Sequence, residues 1–415
     1  MVKNKSIIVL CAIGIILSMT SQSNAVDFAW TARISGISSD NIYRSRGGLQ
    51  EYGTLLRMDM DFEINEQWGR RSLGFLAGGG WETIESDVST TEDVYRYRLN
   101  AVLPWSSTGR IEGSAETSRE TESPEPDDID QGRLLTTRSE FGLSVGNRFA
   151  RSSSYQAGIY QAKEEREDRD YNENSMILQW SDFLSPRRSI NWLGRISSAE
   201  ETILNTSWEE FYTIVTLSDQ MRPIISMNYE IDFNEFSVDT TEGTKERSYR
   251  FGLQVRYEAE GISGWTYNSG MGIDHLVSSS GERSWEPRAE VSAQGPLSRT
   301  LEANGTISSF AELEDPLDFD TEWVRESRVE AGLDWNIYRT FLVTPFAAYL
   351  YQDFHNRDQL FSEDKTILYG VFTSWTPLSP WLLEFGGVVE RRNSSDQLRD
   401  LEEKRLELRV ATTYP

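Results

Sequence analysis

The chain has 415 residues and a formal net charge of −25, with 66 Asp and Glu against 41 Lys and Arg. That balance excludes a nucleic-acid binder, which needs a basic footprint. The single cysteine, Cys11, sits in the N-terminal apolar stretch, so the body of the chain has no thiol for disulfide, zinc-thiolate or nucleophilic chemistry.

Lys3 and Lys5 precede an apolar run from Ile7 to Leu17 and a polar segment ending Ser23-Asn24-Ala25. This order predicts a secretory leader over 1–25, cleaved after Ala25. The run is short of the roughly 20 residues a spanning helix needs. No apolar stretch after residue 25 is longer, and no Pro/Gly/Ser linker divides the rest, so 26–415 reads as one domain.

From there the apolar residues recur with period two, the signature of strands. In 49–64, Tyr52, Leu56, Met58, Met60, Phe62 and Ile64 alternate with Glu51, Arg57, Asp59, Asp61 and Glu63. In 93–103, Tyr95, Tyr97 and Leu99 oppose Arg96, Arg98 and Asn100. After the turn Leu184-Ser185-Pro186-Arg187, Ile190, Trp192 and Ile196 oppose Asn191 and Arg195. Tyr249 to Tyr257, Val329 to Trp335 and Leu406 to Val410 repeat the scheme.

Short turn-like clusters separate these segments at intervals of about 40 residues, as at 66–71, 104–110, 147–154, 184–188 and 218–223. Between them lie acidic connections, as at 82–93, 116–131, 162–174, 237–247, 312–322 and 391–404. The alternation predicts about 20 strands, with both termini on the short-turn side. A propeller of this period would need four strands per repeat rather than two. A soluble sandwich would leave one face of every strand heavily charged.

A spanning sheet must close on itself, because lipid offers no partner to its backbone groups. Apolar residues then face lipid and polar ones the interior. The expected fold is all-β: a transmembrane antiparallel up-and-down barrel with short periplasmic turns and long acidic extracellular loops. Trp68, Trp105, Trp180, Trp192, Trp265, Trp335, Trp375 and Trp381 lie near the short turns, and Trp81, Trp208, Trp285 and Trp323 near the long loops. They suit the two interfacial girdles of such a barrel. Pro287 and Pro345 fall inside strands and predict a bulge or broken ladder.

In this architecture the chain resembles Gram-negative outer-membrane barrels of the porin type. Turns such as LSPRRSINW are similar to those of porins associated with exopolysaccharide loci. The resemblance implies residence in the cell outer membrane, contact with its lipid and lipopolysaccharide, and recognition of a terminal aromatic residue by the barrel-assembly machinery. Tyr414 meets that last requirement, although Pro415 follows it.

The polar phase gives the candidate lumen-lining residues: Arg57, Asp59, Asp61, Arg96, Arg98, Arg138, Glu140, Arg195, Glu230, Arg250, Arg256, Arg288, Glu290, Arg328, Glu330, Glu407 and Arg409. The chain as a whole carries acid in excess, and an inner face that shares this excess favours cations. With the first strand starting near Val26, no N-terminal plug is expected, although the connection at 116–133 is long enough to fold inward. The leading reading is a passive channel for small hydrophilic solutes, without cofactor or catalysis. Export of a polysaccharide, and a sheath around a multihaem cytochrome partner, stand beside it. Asp274-His275, with Ser278, Ser279 and Ser280 nearby, defines a hydrolase alternative.

Overall fold

Successive side chains of an extended chain point to opposite faces, so each alternating segment forms a strand with one apolar and one polar side. The computed structural model of the chain describes residues 26–41, 52–86, 90–121, 135–150, 152–165, 170–202, 206–239, 245–261, 263–313, 321–356, 363–377, 380–395 and 400–414. The leader over 1–25 and most of the 116–133 connection lie outside them. In chain order the strands are β1 (Val26–Ser39), β2 (Gly53–Trp68), β3 (Arg71–Glu85), β4 (Thr90–Pro104), β5 (Gly109–Thr121), β6 (Leu135–Arg148) and β7 (Ser153–Glu165). They continue as β8 (Asp170–Ser185), β9 (Arg188–Glu201), β10 (Thr206–Arg222), β11 (Ile225–Asp239), β12 (Lys245–Glu260), β13 (Thr266–Val277) and β14 (Arg283–Pro296). The series ends with β15 (Leu301–Leu313), β16 (Thr321–Tyr338), β17 (Phe341–Asn356), β18 (Glu363–Trp375), β19 (Trp381–Ser394) and β20 (Leu401–Tyr414).

Each strand pairs antiparallel with the next, and Trp30–Ser39 of β1 pairs with Arg405–Tyr414 of β20. The twenty strands therefore close into one up-and-down barrel with both ends of the chain on the turn side. The tightest turns have two residues, and at Gly69-Arg70 the glycine takes φ 60°, a left-handed conformation suited to a tight hairpin.

The strands run from 12 residues in β13 to 18 in β16, whereas about 9–11 tilted residues cross a bilayer. The surplus lies on the loop side. Of the acidic stretch at 82–93, only 86–89 separates β3 from β4, and of 162–174, only 166–169 separates β7 from β8. Several connections are thus shorter than the acidic runs suggest, because the ladder continues into those runs. The intervals at 40–52 and 122–134 remain long.

Cross-strand rows of apolar residues form one face: Trp30 opposite Phe62, Ala32 opposite Met60, Ile34 opposite Met58. Phe62, Met60, Met58 and Ile34 are exposed, as are Leu253, Ile307, Val371, Phe385 and Leu408 around the wall. On the other face, side chains reach across several strands. Arg57 of β2 bonds Glu120 of β5 at 2.8 Å, and Arg288 of β14 lies 3.7 Å from Asp232 of β11. Only on the concave side of a curved sheet do side chains converge in this way. The charged face is therefore the inside.

The expected loop-side tryptophan girdle needs correction. Trp81 and Trp285 face outward and are exposed, but Trp208 and Trp323 are buried. Trp208 carries the inward phase of β10 and packs against Tyr171 and Phe236.

Trp323 belongs to an irregularity that Pro287 creates. β14 pairs with β15 only over Ala289–Pro296, and continuing that register would set Pro287 opposite Ala311. Proline has no N–H to give the ladder. The Ala311 carbonyl accepts instead from Arg250 of β12, at 3.3 Å. Beyond this point the loop-side end of the β15–β16 hairpin packs behind β13. Leu276 (0% exposed), Ala311 (0%) and Trp323 (1%) form a buried apolar cluster, and Arg325 lies 3.5 Å from Glu286 of β14. The wall thus overlaps itself along a seam. Pro345 interrupts a ladder as well: β16 and β17 lack pairing between Gly332–Phe346 and Trp335–Val343.

Candidate functional site

Strand alternation places every candidate lumen residue on the concave face, and cross-strand neighbours gather them into networks. In the first, Arg33 of β1 binds Asp59 at 2.6 Å and also Asp61, while Arg57 binds Asp59 at 3.0 Å and Glu120 at 2.8 Å. Arg96 reaches the same Glu120 at 3.3 Å. Arg33 and Glu120 were not among the sequence candidates. The sequence reading named no inner residue on β1 or β5, where they stand.

A second network lies on β11–β14. Asp232 and Asp274 flank Gly252 on facing strands, and a methyl group there would collide with both carboxylates. Arg250 binds Asp232, and Arg288 grips Asp274 with two bonds of 3.1 and 3.0 Å while donating to Gln254 at 3.2 Å. The two carboxylates are almost wholly buried, at 1% and 0% exposure. Neither aspartate was among the lumen candidates, and Asp274 entered the sequence reading only in the hydrolase alternative. Nothing in the alternation separates a buried inner carboxylate from a wet one.

The other candidates form local pairs. Arg98 holds Glu116 with a two-pronged bond of 2.6 and 2.9 Å, Arg138 pairs with Glu140 at 2.7 Å, and Arg328 with Glu330 at 2.6 Å. Arg195 binds Glu210 on the inside, while Trp192, on the opposite face, donates to Thr213 at 2.9 Å. Arg256 stands 3.8 Å from Glu230; Glu407 pairs with Arg405 at 2.8 Å and Arg409 with Glu384 at 3.2 Å. Glu290 carries the same inner phase on β14.

Burial inside the barrel is graded. On β2 the loop-side Leu55 and Asp61 are buried while Glu63, Asn65 and Gln67 toward the turn are exposed. On β12 Arg250 and Gln254 are buried and Glu258 and Glu260 exposed; on β20 Leu401 and Glu403 are buried and Arg409 exposed. The interior is open toward the turns and packed toward the loops. One cavity, of about 630 Å³, lies between the β1–β5 and β17–β20 parts of the inner wall.

The inner wall is not uniformly polar. β17 and β18 turn Leu342, Phe346, Leu350, Leu368 and Phe372 inward, with no charged residue between Leu342 and Leu350 in that phase. The sequence reading assigned the interior to polar groups alone and missed this patch, because β17 is apolar on both faces.

Above the apolar belt on the outside stands a rim of amines. Beyond Lys5 the chain has four lysines, Lys163, Lys245, Lys365 and Lys404. Each takes the outward phase at the loop-side end of its strand, paired with Glu165, Glu209, Glu363 and Glu402 at 2.5, 2.7, 2.7 and 3.2 Å. The hydrogen bond from Lys245 holds the Glu209 carboxyl below its ordinary range, and that to Glu363 raises the Lys365 amine, so these rim pairs stay ionised at neutral pH.

The Asp274-His275 pair does not form. Strand alternation sends Asp274 inward to Arg288, while His275 lies outside, its ring 4.3 Å from that of Trp285. Ser278 is engaged in the adjoining turn, accepting from the Glu282 amide at 3.0 Å. The hydrolase reading loses its acid-histidine geometry.

No protein-family profile and no curated protein matches the chain in sequence. Solved structures match it in fold. The FrpB iron transporter from Neisseria meningitidis, F5-1 variant in its apoprotein form, superposes with a TM-score of 0.60 at 9% identity, covering 93% of this chain and 81% of that one. The siderophore receptor PirA from Pseudomonas aeruginosa gives 0.53 at 10% identity, covering 95% and 81%. Pseudomonas aeruginosa OccK7 (OpdD) gives 0.50 at 12% identity, covering 95% and 100%. At these identities the likeness establishes the fold alone, a closed antiparallel β-barrel.

Proposed function

We propose that the chain is an outer-membrane channel for small hydrophilic solutes, with its turns in the periplasm and its loops outside. The observation that carries the proposal is the division of one closed wall into an exposed apolar exterior and a concave, ion-paired interior. Such a wall is stable only with lipid around it and polar groups or water within. The candidate lumen residues line the path in this reading. The packed loop-side half sets its selectivity and the open turn-side half forms a wide vestibule. Carboxylates outnumber arginines on the inner face, so the path favours cations.

Single-channel recording in planar bilayers tests this directly. Stable openings are expected, with a reversal potential in a salt gradient that favours the cation. A barrel that inserts but never conducts would refute the channel. Cell fractionation tests the location independently, with the chain expected in the outer-membrane pellet.

A further inference from the structure

The inner apolar patch is built with a particular geometry. Phe346 and Phe372 lie parallel to within 7°, their ring centroids 5.7 Å apart. Each leans over a glycine of the next strand: a methyl group on Gly370 would meet the Phe346 ring, and one on Gly386 would collide with Phe372. Glycine at those positions leaves each ring room to lie over the neighbouring strand. Phe372 lines the 630 Å³ cavity, and Phe346 stacks against it from the neighbouring strand.

The rest of the cavity lining is charged and balanced. It includes four arginines and four carboxylates, and each of those arginines is ion-paired to one of those carboxylates. The hydroxyls of Thr344 and Ser374 stand among them. Locally the lining has no excess charge with which to select an ion, yet it is dense in paired donors and acceptors. An aromatic ring beside such an array, backed by a second stacked ring, suits a ligand with an apolar face and a rim of hydroxyls. A pyranose ring has that form: its axial C–H groups make one face apolar, and its equatorial hydroxyls can both give and take hydrogen bonds.

The geometry points to a saccharide-binding site inside the barrel, in which a neutral sugar ring stacks on Phe372, braced by Phe346, while its hydroxyls bridge the facing arginine–carboxylate pairs. The inference rests on the channel reading for its physiological sense, but not for its test. Its substrate class is a neutral oligosaccharide, threaded along the wall rather than held in a closed pocket.

Two measurements separate the site from the channel. In planar bilayers, hexasaccharides of α- and β-linked glucose are added to the open channel, with a polyethylene glycol of matched hydrodynamic size as control. At least one sugar is expected to interrupt the current at concentrations where the polymer does not. Phe372→Ala should raise the half-blocking concentration about tenfold, the loss of one aromatic contact. Phe372→Leu, which keeps volume but no flat face, carries the same expectation should the alanine variant not fold. Ile307→Ala, on the outward face of β15 and away from the cavity, should leave the block unchanged. Calorimetric titration of the same sugars into the detergent-solubilised barrel asks for binding without requiring conduction. Current without block and titration without heat would overturn the saccharide site and leave the channel standing. Heat without current would keep the site and remove the channel. Block by sugar and polymer alike, or block that the Phe372 variants do not weaken, would overturn the site.

Discussion

A single methyl group is enough to disturb the inner networks, because glycines make room for their carboxylates. A methyl on Gly78 would strike the Asp61 carboxylate, which Arg33 holds from the other side. Gly78→Ala should therefore cost about 1–3 kcal/mol through overpacking, read as an earlier loss of the folded band when the purified barrel is heated before electrophoresis. Arg250→Ala is the harsher change. It leaves Asp232, 1% exposed, short of its main cation and removes the donor to the Ala311 carbonyl. Loss of one partner from a buried ion pair costs about 3–5 kcal/mol, so this variant should unfold well before Arg138→Ala, whose partner Glu140 is half exposed and free to recruit water. Equal behaviour of the two variants would show that the second network carries no special strain. These contrasts were not legible in the sequence. Arg138 and Arg250 occupy the same phase of equivalent strands, and only the packed hairpin above Arg250 distinguishes them.

At the scale of strands, the alternation located the elements well, and the prolines marked where the pattern would fail. Pro287 forbids one ladder bond, and the pairing of β14 with β15 stops two residues short of it. What the alternation could not give was the consequence, an overlap in which outward-phase side chains of β15 and β16 become interior. Period two reports which side of a strand a residue occupies, not whether the strand itself has moved inside the wall. Trp323 illustrates the difference: its position beside an acidic connection suggested a girdle residue, yet it closes the seam. Trp323→Ala should remove about 3–5 kcal/mol of packing and loosen the hairpin end. Limited trypsin digestion in detergent should then cut after Arg325 at a rate at which the parent chain stays intact. Continued resistance there would mean that the seam is held by the ladder below it rather than by the apolar cluster. The acidic runs misled for a related reason. Charge marks exposure to water, and strands that rise above the bilayer are exposed to water without ceasing to be strands.

For the whole barrel, closure and the two-faced wall were readable from the residues, since lipid leaves few alternatives to a chain patterned in this way. The graded interior was not, because it depends on what each inner side chain meets across the bore. The acid excess has a consequence for conduction as pH changes. Carboxylates protonate as pH falls through about 4, while arginines keep their charge. The lining then passes from net negative to net positive, and the reversal potential in a salt gradient should change sign below about pH 4. An unchanged sign would place the selective charges elsewhere than on the inner wall.

The rim of lysines gives the molecule a chemical polarity as well as a structural one. Every lysine beyond residue 5 stands on one edge of the cylinder, on its lipid-facing side. With that edge turned to the medium, an acylating reagent that cannot cross the envelope would modify all four from outside intact cells. The same reagent confined to the periplasm would find no ε-amino group on the barrel at all.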